Sequence, residues 1–323
     1  MKKFLPAMPM KKSLLLVALT SFGVFQSHAT LSFYDSFDYT TGQLLAPIND
    51  TTGTPNPGQL NVAYGWNWRY AGAGAAANKP PGIASGGLSY PGLQPSTGNS
   101  VLFDTTQIGT ARIQAMPAAI SSGTVYWSGL IQVGAVANLN AVNGMLLGGF
   151  VTSADAGTLP GTVGAVLRIR QSSVDTTAYN IGVGMNSGTT SGAGGANVQF
   201  DSVAHAVAQT VFVVASYEFV AGANNDIARM WINPNLSDFG AGTPPLATLT
   251  SAPGVAVADS SANVLAFNLR NVNTVGTPTG VLFDELRVGT TWADVTPVPE
   301  PAAAGLLGLC MLVLVSRYRS RCH

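Results

Sequence analysis

Cysteine is absent from this chain until Cys310, and the only other one is Cys322. Everything before that point can form neither a disulfide framework nor a thiolate site. Charge is scarce too: Asp, Glu, Lys and Arg make up 9% of 323 residues. Between residues 30 and 297 there are 14 acids (all but Glu300) and 8 bases (all but four N-terminal lysines and three C-terminal arginines), a net of about −6. That balance argues against nucleic acid as a partner, which needs a basic face. His205 is the only histidine in the same stretch, so HExxH zinc sites and multi-histidine metal centres are excluded there. A Ser-His-Asp triad would have to use His205, and no G-x-S-x-G elbow occurs. Glutamate is limited to Glu218 and Glu285 before the tail, far apart and without a Glu-x-Asp-x-x-Glu strand. Aspartates from separate strands could still form a glycosidase pair, so the absence of that motif disfavours the chemistry without disproving it. No P-loop or dinucleotide fingerprint is present. No catalytic residue is assigned, and the chain is not expected to be an enzyme.

What is present is concentrated first at the two ends. Lys2, Lys3, Lys11 and Lys12 precede the apolar stretch Leu14–Phe25, and Ser27-His28-Ala29 places small residues where a signal peptidase reads. Residues 1–29 are expected to be a signal peptide, with cleavage after Ala29. At the other end Val298-Pro299-Glu300-Pro301 leads into an uncharged run from Ala302 to Val315, followed by Arg317, Arg319 and Arg321. As a helix those 14 residues reach ~21 Å against a hydrocarbon core of ~30 Å. Snorkelling arginines can make up the difference and hold this end in the cytoplasm. Basic clusters at both ends would then place everything between them across the membrane.

The order Val-Pro-Glu-Pro, short apolar helix, Arg-rich terminus resembles the PEP-CTERM sorting signal of bacterial surface proteins. The resemblance implies processing near Pro299-Glu300-Pro301 by the membrane protease exosortase. It also implies a setting of extracellular polysaccharide or biofilm, with transient inner-membrane anchoring before the cell surface or the medium. It covers residues 298–323: the motif 298–301, the apolar helix 302–315 and the Arg-rich end 316–323.

The body, residues 30–297, reads as one domain. Short β-rich runs alternate with loops of Gly, Pro, Ser, Thr and Asn: Leu31–Asp38, Ala111–Met116, Thr124–Gly134, Met145–Val151, Val163–Arg170, Tyr179–Met185, Thr210–Val220, Asp226–Asn233, Asn263–Arg270 and Val281–Val288. In Thr210–Val220 the period is plain: Val211, Val213, Ala215, Tyr217 and Phe219 share one face, and Ala221–Asn225 suits a hairpin loop. The Gly-rich stretches Ala71–Gly87 and Ser187–Gly195 read as loops. About ten strands with few helices predict an all-β jelly-roll or concanavalin-like sandwich. Phe33-Tyr34-Asp35-Ser36-Phe37-Asp38, Trp231-Ile232-Asn233-Pro234 and Phe283-Asp284-Glu285-Leu286-Arg287-Val288-Gly289 resemble pieces of concanavalin A-like, laminin-G-like sandwiches. In such folds the first and last strands commonly lie side by side.

Two sets of side chains stand out as candidate sites. Alternation puts Asp35 between Phe33 and Phe37, and Asp284 with Leu282, Leu286 and Val288. A carboxylate among apolar neighbours is hydrogen-bonded, paired or metal-bound. Either the two acids contribute to a structural Ca²⁺ site, or each bonds backbone amides or an arginine such as Arg287 or Arg270. In Tyr64-Gly65-Trp66-Asn67-Trp68-Arg69-Tyr70, an extended chain puts Tyr64, Trp66, Trp68 and Tyr70 on one face. That row is either core or a platform on which sugar rings stack.

Three functional readings follow. One is an exported, non-catalytic surface or matrix protein associated with extracellular polysaccharide. The second is a secreted glycan-active hydrolase or lyase on the same fold, and the third a purely structural surface domain. The missing catalytic motifs favour the first and third.

Overall fold

A computed structural model describes residues 31–46, 68–70, 80–104, 110–142, 144–152, 162–188, 198–251, 259, 263–270 and 280–298. Each of the ten expected runs contains a strand. They are β1 (Phe33–Asp35), β5 (Thr110–Gln114), β6 (Gly123–Val133), β7 (Met145–Val151), β8 (Thr162–Gln171), β9 (Ala178–Gly188), β12 (Thr210–Phe219), β13 (Ile227–Ile232), β15 (Ala266–Arg270) and β16 (Val281–Gly289). The first is shorter than expected because Phe37 takes a φ of 52°, which ends the extended chain. Six further strands of two to four residues were not foreseen: β2 (Arg69–Tyr70), β3 (Gly82–Ala84), β4 (Ser100–Phe103), β10 (Val198–Phe200), β11 (His205–Ala206) and β14 (Leu249–Ser251). The expectation of a loop across Ala71–Gly87 is corrected at β3, where buried Ile83 pairs with Val101.

The strands form two antiparallel sheets of eight. The first runs β14-β13-β12-β6-β16-β4-β3, with β1 also on β16. The second runs β10-β9-β8-β7-β15-β5-β2, with β11 also on β9. First and last strands do lie together: Phe33 faces Val288 and Asp35 faces Leu286.

Between the sheets lies one apolar core, which takes Val211, Val213, Ala215 and Tyr217 from β12, Trp127 and Ile131 from β6, and Phe267 and Leu269 from β15. This is the inner face that the period-2 pattern of Thr210–Val220 predicts. The outward face of the first sheet is covered as well. Leu130, Phe212, Val214 and Trp231 pack there under Leu88, Phe239, Trp292 and Val295. Trp292 and Val295 arrive on α1 (Trp292–Val295), a single turn fixed by a capping box between Thr291 and Asp294. Among the described residues, no helix is long and apolar enough to cross a membrane. The outward face of the second sheet carries a smaller apolar cluster, Leu146, Val151, Val163, Val166 and Ala266, with arginines beside it.

Candidate functional site

The acidic pair is resolved first. Asp35 turns into the core, where Oδ1 accepts from the Phe37 amide at 2.8 Å and Oδ2 from Tyr39 Oη at 2.6 Å and Trp68 Nε1 at 2.7 Å. Asp284 turns the other way. It stands opposite Leu130 on β6, with Oδ2 accepting from the Leu88 amide at 2.6 Å and Ser96 Oγ at 3.1 Å, and Oδ1 from the Glu285 amide at 2.7 Å. The expectation that Asp284 shares a face with Leu286 and Val288 is therefore corrected. A β-bulge between Asp284 and Arg287, with Glu285 at a φ of 55°, inserts one extra residue and switches the phase. The two acids lie on opposite sides of the sheet with their oxygens taken up by donors, so they do not fit a shared Ca²⁺ site. Among the described residues no group of three or more His, Cys, Asp or Glu could hold a metal. Arg287 serves a neighbour: it lies 4.1 Å over the Tyr34 ring, whose hydroxyl donates to Glu285 at 3.0 Å. Burial pushes the Asp284 carboxyl up to about 7 and raises Asp35 as well, against the donors that pull each down.

Of the aromatic row, Trp68 and Tyr70 are core residues at 1% and 3% exposure. Trp68 lies against Phe37, with ring centroids 6.0 Å apart, and its indole N–H is spent on Asp35. Neither offers a face to a sugar, which corrects the platform expectation at these two positions. Trp66 lies outside the described residues. His205 is buried and bonds Asp201 Oδ2 at 2.6 Å, while Asp201 Oδ1 accepts from the Ile181 amide. This pair ties β11 to β9. Ser27, Ala29, Pro299, Glu300, Pro301, Arg317, Arg319 and Arg321 lie outside the described residues; Val298 is half exposed.

The second sheet carries the feature that sequence reading missed. Its eight strands contain no Asp or Glu, yet they hold Arg69, Arg112, Arg168, Arg170 and Arg270. All five occupy outward positions, because Ala111 and Ile113 on β5, Leu167 and Ile169 on β8, and Phe267 and Leu269 on β15 point into the core. Register spreads them diagonally over several levels, with Arg270 opposite Thr110 and so two residues along from the level of Arg69 and Arg112. Arg69 is directly opposite Arg112, Arg112 is opposite Asn268, Arg168 is opposite Leu146 and Gly182, and Arg170 is opposite Asn180. On β7, Leu146 is opposite Arg168, Gly148 is opposite Leu167 and Leu269, and Gly149 is opposite Asn268. Asn268 Nδ2 donates to Gly149 O at 2.9 Å. At the β10 end Arg170 lies 4.2 Å over the Phe200 ring, which covers Gly182 so closely that a Cβ there would meet it at 2.6 Å.

Electrostatics make the row unusual. Arg112, Arg168 and Arg270 are 4%, 2% and 3% exposed, whereas Arg69 and Arg170 at its ends are only partly buried. Burial first, and then the charges of Arg112 and Arg168, push Arg270 down to about 10; burial alone does the same to Arg168. These residues have neighbours to bond. Even so, Arg112 Nε and Nη2, Arg170 Nε, Arg270 Nη1 and the Asn268 carboxamide oxygen find no hydrogen-bond partner. Buried donor and acceptor atoms left without a partner each carry a cost. A fold tolerates such local conflict mostly where the site has work to do. The signal in the sequence was arginine alternating with core residues: one in Ala111-Arg112-Ile113, two in Leu167-Arg168-Ile169-Arg170 and one in Asn268-Leu269-Arg270. Only the strand order joins those three fragments.

No family model matches the chain, and no curated protein matches it. Among solved structures it is similar to an endo-β-1,4-glucuronan lyase from the fungus Trichoderma reesei, at 12% identity over 83% of this chain and 99% of that one, with a TM-score of 0.39. The alginate lyase Aly36B gives 12% identity, 76% and 96% coverage, and a TM-score of 0.38. The carbohydrate recognition domain of Emp46p in its metal-free form gives 6% identity, 59% and 82% coverage, and a TM-score of 0.34.

Proposed function

We propose that this is an exported, non-catalytic protein of the cell surface or extracellular matrix, whose β-sandwich holds extracellular polysaccharide. Signal peptidase releases the N-terminus, the tail of residues 298–323 anchors the chain transiently in the inner membrane, and exosortase processes it near Pro299-Glu300-Pro301. The observation that carries the binding half of this reading is the outward face of the second sheet, where five arginines and Asn268 stand beside the apolar Leu146, Val151, Val163, Val166 and Ala266 and no strand carries an acid. Its chemistry favours holding over cutting. The outward side chains of β5, β8 and β15 are guanidiniums, carboxamides, a threonine and aliphatics, none of which takes up a proton near neutral pH. The alternative, a glycan hydrolase or lyase, needs a positioned base that this row does not supply among the described residues.

The test is co-sedimentation of the full-length chain, purified in mild detergent, with a panel of insoluble and gelled polysaccharides, neutral and acidic. Retention by at least one polysaccharide, with no new reducing or unsaturated ends released, is the expected result. Failure to be retained by any would leave the purely structural reading, and turnover abolished by a single Asp→Asn change would establish the enzyme.

A further inference from the structure

We infer that the outward side of the first sheet, where residues 234–250 cover it, is the face that the anchored chain lays against the lipid surface of the membrane. This goes beyond the proposed function and rests on its membrane-anchored tail. Three observations carry it: where the chain leaves the body, how far it can reach from there, and what the surface at that point is made of.

The exit is fixed. Thr296 closes α1 and is fully buried; its amide and its hydroxyl both donate to the Trp292 carbonyl, at 3.1 and 2.9 Å, and the Gly240 amide donates to the Thr296 carbonyl at 2.8 Å. Ser128 Oγ of β6 donates to the Val295 carbonyl at 2.7 Å, and Trp292 Nε1 to the Asp238 carbonyl at 2.7 Å. Val298 then lies over Gly240, where an added Cβ would meet its Cγ2 at 3.0 Å. The chain therefore departs from the segment that covers the first sheet and cannot swing away without breaking buried hydrogen bonds.

The reach is short. The uncharged run begins at Ala302, four residues after Val298. Fully extended, those four span at most about 14 Å, and the headgroup layer on one side of a bilayer takes up roughly 5–8 Å of it. With the run inserted, the surface around Gly240 stands at the level of the headgroups. A run of ~21 Å facing a hydrocarbon core of ~30 Å draws its flanks further in.

The surface suits that place. Residues 234–250 contain one charged side chain, Asp238. Leu236 is 53% exposed and Leu246 97%, with Val298 beside them at 49%. Leu246 follows Pro244 and Pro245, whose rings fix φ, and the Pro245 carbonyl is held by Trp231 Nε1 at 2.9 Å, so a rigid loop presents the leucine outward. A lone exposed leucine needs no explanation; apolar side chains gathered where the chain departs for an apolar tail form a surface that lipid covers. In this orientation the outward face of the second sheet, which is proposed to hold polysaccharide, looks away from the membrane.

The experiment places the full-length chain in phosphatidylcholine–phosphatidylglycerol vesicles. Cys310→Ala and Cys322→Ala remove the native thiols, and one cysteine at a time is introduced by Leu246→Cys, Leu236→Cys or Val203→Cys. Val203 is the control on the opposite face: its carbonyl accepts from Asn180 Nδ2 at 2.7 Å over the second sheet, and its side chain is exposed. Each thiol carries a fluorophore, and the vesicles contain a lipid with a nitroxide quencher on its headgroup. Flotation in a density gradient reports anchoring separately, and melting temperatures check that each variant is folded.

The expected result is a floating chain whose probes at 246 and 236 lose most of their emission while the probe at 203 loses none. A floating chain with equal quenching at all three positions, with the strongest at 203, or with none at 246 and 236, would overturn this inference and leave the anchor standing. A chain that does not float would remove the anchored tail and the inference together. Should one leucine variant melt too low to assay, the other decides against Val203.

Discussion

Asp284 is fully buried, and its carboxyl is pushed from 3.8 up to about 7 by that burial, against the pull of the Leu88 and Glu285 amides and the Ser96 hydroxyl. A carboxyl whose pKa is higher folded than unfolded binds its proton more tightly in the fold. The stability it contributes is complete below 3.8 and is lost as the pH rises to about 7. Asp35 is shifted in the same direction, again with burial as the first cause, so the two slopes add. Denaturant titrations are expected to show stability falling between about pH 4 and pH 7. Asp284→Asn should flatten part of that slope; an unchanged slope in the variant would mean another group titrates. Trp68 permits a sharper test of core against surface. Trp68→Phe removes a buried indole N–H from Asp35 Oδ2 and should cost about 1–3 kcal/mol. A sugar-contacting Trp68 would instead leave the melting temperature unchanged and weaken retention on polysaccharide.

Nine of the ten foreseen strands run five residues or more, long enough to show a period or an apolar run between turn signals, and three-residue β1 was legible through the Phe33-Tyr34-Asp35-Ser36-Phe37-Asp38 fragment. The six unforeseen ones do not, since two to four residues carry no period; they are strands because a neighbour supplies the ladder, as β9 does for His205–Ala206. The face of Asp284 was misread for a different reason. Period-2 reasoning assumes an uninterrupted strand, and the left-handed Glu285 in β16 adds one residue that nothing in the local sequence marks. The arginine row was hidden by sheet order, because β8, β15, β5 and β2 are neighbours through β7 and not along the chain. Elements also meet through backbone at places where side chains are forbidden. Where the chain leaves β1, Ser36 passes so close to Gly98 that an added Cβ would meet the Ser36 carbonyl oxygen at 1.8 Å. Gly98→Ala should therefore lower stability by about 1–3 kcal/mol through forced backbone displacement. Gly87→Ala, whose nearest obstacle is the Ser96 hydroxyl, should cost less. Equal melting temperatures for the two variants would show that the contact at Ser36 is not tight.

At the scale of the whole molecule, the sandwich and its two ends make separate demands on the sequence. The body holds together without a disulfide, so its stability comes from two eight-stranded sheets sharing one core. Reducing agent should leave its unfolding transition unmoved. The ends instead concern placement. In the proposed reading, lysines before Leu14–Phe25 and arginines after Ala302–Val315 both favour the cytoplasmic side, so the acidic body would be sent outward past a tail long enough to retain it only marginally. The proposed hold on extracellular polysaccharide would be of use only on that outer side. Mass spectrometry of protein recovered from its native cell reads the outcome directly. The expected mature N-terminus is Thr30, and the expected C-terminus falls between Pro297 and Pro301. A chain still ending at His323 would mean a permanent anchor, with the polysaccharide held at the membrane instead of in the matrix.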